Sequence, residues 1–337
     1  MSKSPLKHFL DFVELRTKLA TLLPFFVALA YSFYLTGRID IRSTLVYLVA
    51  ATLLDMSVTA INSHYNARKE NQPPHYKTFL SLSIIGIMLL VSMGLGLYLV
   101  YLHGITILFL GVFCFFIGVI YSFGPAPICK SPYGELFSGF TVGSVIMFIV
   151  VSINVPAFSP LELSFSLPDF RLGMDINLIE LFSFGLITVP SFFSAANIML
   201  ANNICDREED RPYRYTLVHS LGLEKSLLLF ASLYYLSYIA IILSVILGLL
   251  SPFALLTLAT FPLIQKNIRL FREKQIKRET FALSVKSFTV LMAAYCVSIT
   301  LGAFFTKSVS QIAIACVTMN CYLVKSCLLG GTLIALG

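Results

Sequence analysis

Apolar residues in this chain come in runs of membrane length, one after another. A bilayer's hydrocarbon core needs about 20 apolar residues in helical form. It holds no water, so a spanning segment must satisfy its own backbone polar groups, which a helix does. Such runs occur at 19–36, 43–63, 79–101, 105–123, 134–153, 178–203, 225–249, 252–267 and 285–305. The pattern predicts an all-α polytopic membrane bundle of nine transmembrane helices. The run at 252–267 is the shortest. The first, "TLLPFFVALAYSFYLTG", holds a proline and is too long and too late for a cleaved signal peptide. Only 12% of the residues are charged, against about 25% in a soluble domain.

The membrane domain is taken as 1–308. The tail, 309–337, is apolar enough for a weak tenth segment but holds Asn320 and Lys325, and no role is assigned to it. Residues 154–177, rich in Pro and Ser, read as a surface connection. The seven cysteines contain no CxxC pair and read as free thiols.

Basic residues orient the bundle, because cytoplasmic loops carry an excess of Lys and Arg. The N-terminal segment and the loops after the second, fourth, sixth and eighth runs hold most of them. The opposite loops hold only Arg38, Arg42 and Arg171. The net charge of +7 is thus a topology signal that puts the N-terminus in the cytoplasm, at the cell membrane. It gives no reason to invoke nucleic acid.

The sixth run ends in "NNICDREEDR". Residues four apart share one helical face, so Asn202, Asp206 and Asp210 stack over two turns at the membrane boundary. Arg207 and Arg211 repeat the interval on the adjoining face. Carboxylate and amide oxygens suit Mg²⁺, a hard cation that is often shared with substrate phosphates. Arginine's planar fork suits phosphate oxygens. The alternative is a solvated helix end laced by i,i+4 ion pairs.

The second run holds "LLDMSVTAINSHYNARKEN". Asp55 lies inside the apolar stretch, where an ionisable group is costly and marks function by default. Asp55, Asn62 and Asn66 fall on one face, which Lys69 and Glu70 extend. The alternative for Asp55 is a protonated, hydrogen-bonded carboxyl in the bundle. His64 and His75 read as loop histidines. Gly134, Gly139 and Gly143 suit close helix packing.

"NNICDREEDRPYRYTL" resembles the second aspartate-rich motif of the UbiA family of membrane prenyltransferases. "NSHYNARK" resembles the first motif, and "YSFGPAPICKSPYGELFSGFTVG" resembles the segment that follows the family's fourth span. The resemblance covers roughly residues 8–305 and is closest to the 1,4-dihydroxy-2-naphthoate branch of menaquinone biosynthesis. The second motif is intact. The first departs from the family pattern: Ser63 holds its second position, and Asn66 stands where an acidic residue is usual. Asp55 or Glu70 could compensate.

The resemblance implies a prenyltransferase that carries a polyprenyl group from its diphosphate to an aromatic acceptor. It implies Mg²⁺ on Asn62, Asn66, Asn202, Asp206 and Asp210, with Asn62, Asn66, Asp206 and Asp210 as the catalytic set. The diphosphate would meet Lys69, Lys130, Arg207, Arg211 and Tyr121. Asp55, Glu70, Asn203 and His64 are secondary positions. The site would face the cytoplasm and the chain's partner would be the lipid bilayer. Three other readings stay open: a different acceptor such as 4-hydroxybenzoate or haem, an impaired homologue that binds isoprenoid lipid, and a secondary transporter. Transport predicts paired charges near the midplane, whereas the polar residues here gather at one interface.

Overall fold

The computed structural model of the protein describes residues 5–13, 18–69, 76–124, 127–166 and 170–305. The tail at 309–337, Glu70 and His75 lie outside the described residues, as do the side chains of Asn66 and Lys69. A short helix, α1 (Pro5–Phe12), precedes α2 (Leu19–Thr36), α3 (Ile41–Lys69), α4 (Thr78–His103) and α5 (Ile105–Ser122). A fifth membrane-length element, Gly134–Asn154, is built from α6 (Gly134–Ser138), a wide π-turn at Gly139–Val145 and α7 (Ile146–Asn154). Then come α8 (Leu178–Cys205), the single turn α9 (Arg207–Asp210), α10 (Leu217–Leu221) and α11 (Leu223–Ile246). A 3₁₀ run, Pro252–Thr260, leads into α12 (Phe261–Glu273), and α13 (Phe281–Phe305) follows.

All nine apolar runs are helical. Among the described residues, seven helices are long and apolar enough to cross a membrane. The first expected span is shorter in its apolar part, Thr21–Thr36. The eighth is a 3₁₀ run joined to an amphipathic helix, so the count of nine spans is not confirmed. In α12, Ile264, Ile268 and Phe271 are buried at helical spacing, while Arg269 and Arg272 are exposed. That pattern belongs to a helix with one face on the core and the other in a polar medium.

The connection at 154–177 contains more than a loop. Strands β1 (Leu161–Ser166) and β2 (Arg171–Ile176) pair antiparallel, Leu161 opposite Ile176. The hairpin caps one end of the bundle, where Leu163 N donates to Thr106 Oγ1 at 3.1 Å. At that same end, Asn154 accepts from Asp40 N at 2.9 Å, and His103 meets Ser43 at 2.8 Å.

Two groups of helices share the core. The helix α3 packs on α4 and α5, and α2 packs on α7. The helix α8 packs on α11 and on the π-turn. Gly139 and Gly143 make the last contact possible. A Cβ at Gly139 would lie 2.7 Å from Phe192 O, and one at Gly143 would run into the Phe192 backbone. The expected close packing is found there. The helix α13 closes the core: Tyr295 OH donates to Ile187 O at 3.1 Å, and Cys296 Sγ lies 3.5 Å from Phe26 O.

The 29 residues of α3 span about 43 Å at 1.5 Å per residue, well beyond a hydrocarbon core of about 30 Å. The helix therefore continues through the first motif. His64 is a buried helical residue, which corrects its reading as a loop histidine.

Replacing Gly143 by leucine forces α8 away from the π-turn. The expected loss is about 1–3 kcal/mol, the usual cost of overpacking. Unfolding midpoints in detergent micelles measure it, and an unchanged midpoint would contradict the contact.

Candidate functional site

The polar residues of α8 come together because the helix does not fully stop at Cys205. Asp206 N donates to Asn202 O at 3.0 Å, Asp210 N to Asp206 O at 2.8 Å, and Arg214 N to Asp210 O at 2.9 Å. The i to i+4 spacing thus survives the bend at Asp206, and the expected stack of Asn202, Asp206 and Asp210 is present. Three other segments meet it at this end of the bundle. Tyr215 N donates to Lys130 O at 3.1 Å, binding the stretch after α5 to the stretch after α9. Asn203 Nδ2 donates to Glu135 Oε1 at 2.8 Å, with both residues buried. Lys277, from the turn between α12 and α13, donates to Asp206 Oδ2.

The two carboxylates sit in different surroundings. Asp206 is buried and ion-paired with Lys277. Asp210 pairs with Arg214 at 3.4 Å. Its Oδ2 is buried, and no donor among the described residues reaches it. Burial raises the Asp210 carboxyl above its usual range; Arg214 opposes that shift and Asp206 adds to it. An oxygen without a donor beside a second carboxylate is what a hard cation would complete. Among the described residues no group of three or more His, Cys, Asp or Glu converges. The protein's offering there is two carboxylates and the Asn202 amide. Water and phosphate oxygens would fill the remaining positions, as Mg²⁺ sites commonly require. Burial pushes the Cys129 thiol up.

The other expected residues are dispersed. Arg207 pairs with its neighbour Glu208, and Arg211 is exposed. The Arg207 carbonyl meets His219 Nε2 at 3.0 Å, and His219 closes a capping box with Thr216. Tyr121 OH lies 3.5 Å from Gly134 O. Lys130 is half-buried. Asn203 turns from the stack toward Glu135. Asn62 is half-buried on α3. Asp55 is held as an ion pair by the buried Lys18 at 2.9 Å, and its other oxygen accepts from Thr21 at 2.8 Å. Both oxygens are engaged.

Sequence reading missed Lys277, Glu135 and His219. Their partners lie 71, 68 and 12 residues away. Only the alignment of His219 with Thr216, three residues apart, carried a local signal. An apolar groove of about 450 Å³ runs along the first half of α8, between Phe182, Gly185, Phe192 and Ser144. Phe193, its last lining residue on α8, lies roughly 20 Å along the axis from Asp206 at 1.5 Å per residue. The groove is therefore remote from the polar cluster and does not mark the head-group site.

A sequence profile of the UbiA prenyltransferase family matches residues 21–292. The chain is 31% identical over 189 residues to the 1,4-dihydroxy-2-naphthoate octaprenyltransferase of Bacillus subtilis (strain 168). That match covers 55% of this chain and 52% of the other, so the chain spans about half the length of the curated relative it matches. A digeranylgeranylglyceryl phosphate synthase structure superposes with a TM-score of 0.60 at 19% identity, covering 88% of this chain and 98% of that one. A UbiA homolog from Archaeoglobus fulgidus bound to GPP and Mg²⁺ gives 0.57 at 13%, covering 87% and 99%. An apo UbiA homolog from Aeropyrum pernix K1 gives 0.56 at 16%, covering 85% and 98%. At these identities the structures show a shared fold. With the family profile running over most of the bundle, this multi-pass membrane chain belongs to the UbiA prenyltransferase family.

Proposed function

We propose that the protein moves a polyprenyl group from its diphosphate to an aromatic acceptor, 1,4-dihydroxy-2-naphthoate. The stack of Asn202, Asp206 and Asp210, with an unmet carboxylate oxygen on Asp210, carries this reading. The naphthoate relative supports the acceptor, and the GPP- and Mg²⁺-bound relative supports the donor class and the metal. Basic residues crowd the end that holds the stack, which supports a site and an N-terminus on the cytoplasmic face of the cell membrane.

The residues fit Mg²⁺. Asp206, Asp210 and Asn202 would hold it, and the first motif's Asn62 and Asn66 on α3 are the further candidate ligands. When bound, the metal supplies positive charge for the diphosphate that leaves. Lys130 and Lys69 would add positive charge for the diphosphate. Such preorganised charge at the leaving group is usually the largest catalytic term. The allylic C–O bond breaks with its electron pair going to the diphosphate. A carbon of the electron-rich acceptor then attacks the allylic cation, and aromaticity returns as that carbon gives its proton to the released diphosphate or, at the carboxylated position, loses carbon dioxide. The apolar faces of the bundle would hold the isoprenoid chain and exclude water from the cation.

One observation favours a second reading. Ser63 and Asn66 contribute no charge where the family usually has an acid, which weakens metal affinity. An isoprenoid-binding homologue with little transferase activity is the result if Glu70 does not compensate.

Purified protein in nanodiscs, given a polyprenyl diphosphate, 1,4-dihydroxy-2-naphthoate and Mg²⁺, tests the proposal. Transfer should stop on chelation. Asp206→Asn and Asp210→Asn should each lower kcat by roughly 100-fold or more, the scale for removing one electrostatic stabiliser. Asn66→Asp should hold or raise the rate. Transfer that survives chelation would overturn the metal assignment, and no product with any aromatic acceptor would favour the second reading.

The raised Asp210 carboxyl carries a separate prediction. Its ionised form is disfavoured by the fold, so it destabilises the metal-free protein as pH rises through the unfolded carboxylate range toward the raised value. That cost is complete above the raised pKa and absent below the unfolded one. Asp210→Asn should therefore raise the metal-free melting temperature at neutral pH and leave it little changed in acid. A lower melting temperature at neutral pH would contradict the electrostatics.

A further inference from the structure

Lys277 is absent from every motif in the sequence, yet it makes the longest-range ion pair at the site. Its ammonium donates to Asp206 Oδ2 across 71 residues of chain. The Asp206 side chain is 11% exposed and that of Lys277 is 51% exposed, so a cation anchored in the polar medium reaches down to a buried anion.

The turn that carries Lys277 is firmly built. Gln275 Nε2 donates back to Phe271 O and Arg272 O at 2.8 Å, closing the end of α12. Ile276 O accepts from Glu279 N at 3.0 Å and from Thr280 N at 2.8 Å, and Thr280 Oγ1 accepts from Ile276 N. Lys274 pairs with Glu279, and Arg269 pairs with Glu273, each within its own segment. Lys277 instead crosses to α8. The anchor is fixed, and the four-carbon stem above it is half exposed.

The carboxylates it meets are asymmetric. Asp210 keeps one oxygen without a donor, whereas Asp206 has its charge covered by the ammonium. A divalent cation on both carboxylates would compete with Lys277 for Asp206 and repel it. A diphosphate arriving with that cation would offer the displaced ammonium several anionic oxygens within its reach. Lysine suits such a transfer because its compact charge binds without fixed direction.

We propose that Lys277 is a place-holding cation. It neutralises Asp206 while the site is empty and passes to the diphosphate oxygens when metal and prenyl diphosphate load. This inference rests on the prenyl-diphosphate reading above. It makes Lys277 a competitor of the metal alone and a partner of the metal with diphosphate.

The two effects have opposite signs, which separates them from a structural role. The full chain in nanodiscs is titrated with Mn²⁺ alone, and then with inorganic pyrophosphate at saturating Mn²⁺, by electron paramagnetic resonance. Lys277→Met should tighten Mn²⁺ alone by about fivefold, the scale of one partly exposed ion pair. It should weaken pyrophosphate by about the same factor. Lys277→Arg, which keeps the charge, should stay near wild type in both and so control for folding. If Lys277→Met leaves Mn²⁺ affinity unchanged, or weakens both ligands together, the place-holding role is overturned while the transferase reading stands. If the wild-type protein binds neither Mn²⁺ nor pyrophosphate, the transferase reading falls and this one falls with it.

Discussion

The backbone ladder that runs off the end of α8 keeps two negative charges stacked at the edge of an apolar bundle. Without the hydrogen bonds from Asp206, Asp210 and Arg214 back to the residues four before them, the two carboxylates would fan apart into a polar loop. With those bonds, they share one face with Asn202. The ladder in turn depends on where α8 sits. Gly139 and Gly143 let the π-turn meet the backbone of Phe192, and Tyr295 on α13 holds Ile187 from another side. Close packing deep in the bundle thus fixes the position of a charged cluster at its rim.

The rim carries an electrostatic cost that the packed interior sustains. Asp210 has a buried oxygen without a donor, and Glu135 and Asn203 each keep one as well. Buried polar atoms are normally paired, and each unmet one is destabilising by about 1–3 kcal/mol. Three unmet atoms within one end of the molecule contrast with Asp55, whose two oxygens are both satisfied, by Lys18 and Thr21. The structure therefore separates a stabilising carboxylate in the bundle from an unsatisfied one at its edge. A site that must bind a cation is expected to look like the second.

Much of this was legible in the sequence, because the relevant signals are local. Apolar runs gave the helices, and the interval of four in "NNICDREEDR" gave the stack. The glycines at 134, 139 and 143 signalled close packing, and the structure supplies the partner, the Phe192 backbone of α8 against Gly139 and Gly143. The alternation in Leu161–Ser166 is also a local signal, of period two, but it is short and lies in a loop of mixed composition. What the sequence could not show is pairing at long range. Lys277 with Asp206, Glu135 with Asn203 and Lys18 with Asp55 depend on how helices pack, and no periodicity encodes that. The run at 252–267 misled for another reason. Its apolar content matches a span, but Pro252 opens a 3₁₀ run and the charges of α12 turn the rest into an amphipathic helix. The apolar run ends at residue 63, whereas α3 continues as a helix to Lys69, in keeping with the one face shared by Asp55, Asn62 and Asn66.

The central claim is that Asp206 and Asp210 jointly hold a divalent cation together with a prenyl diphosphate. The most direct measurement is an experimental structure of the protein in nanodiscs with Mg²⁺ and an unreactive thiolodiphosphate analogue. The account predicts metal density about 2.1 Å from an oxygen of each carboxylate, with the diphosphate on the metal's far side. Metal and diphosphate bound elsewhere, with Asp206 still closed on Lys277 and Asp210 on Arg214, would contradict it.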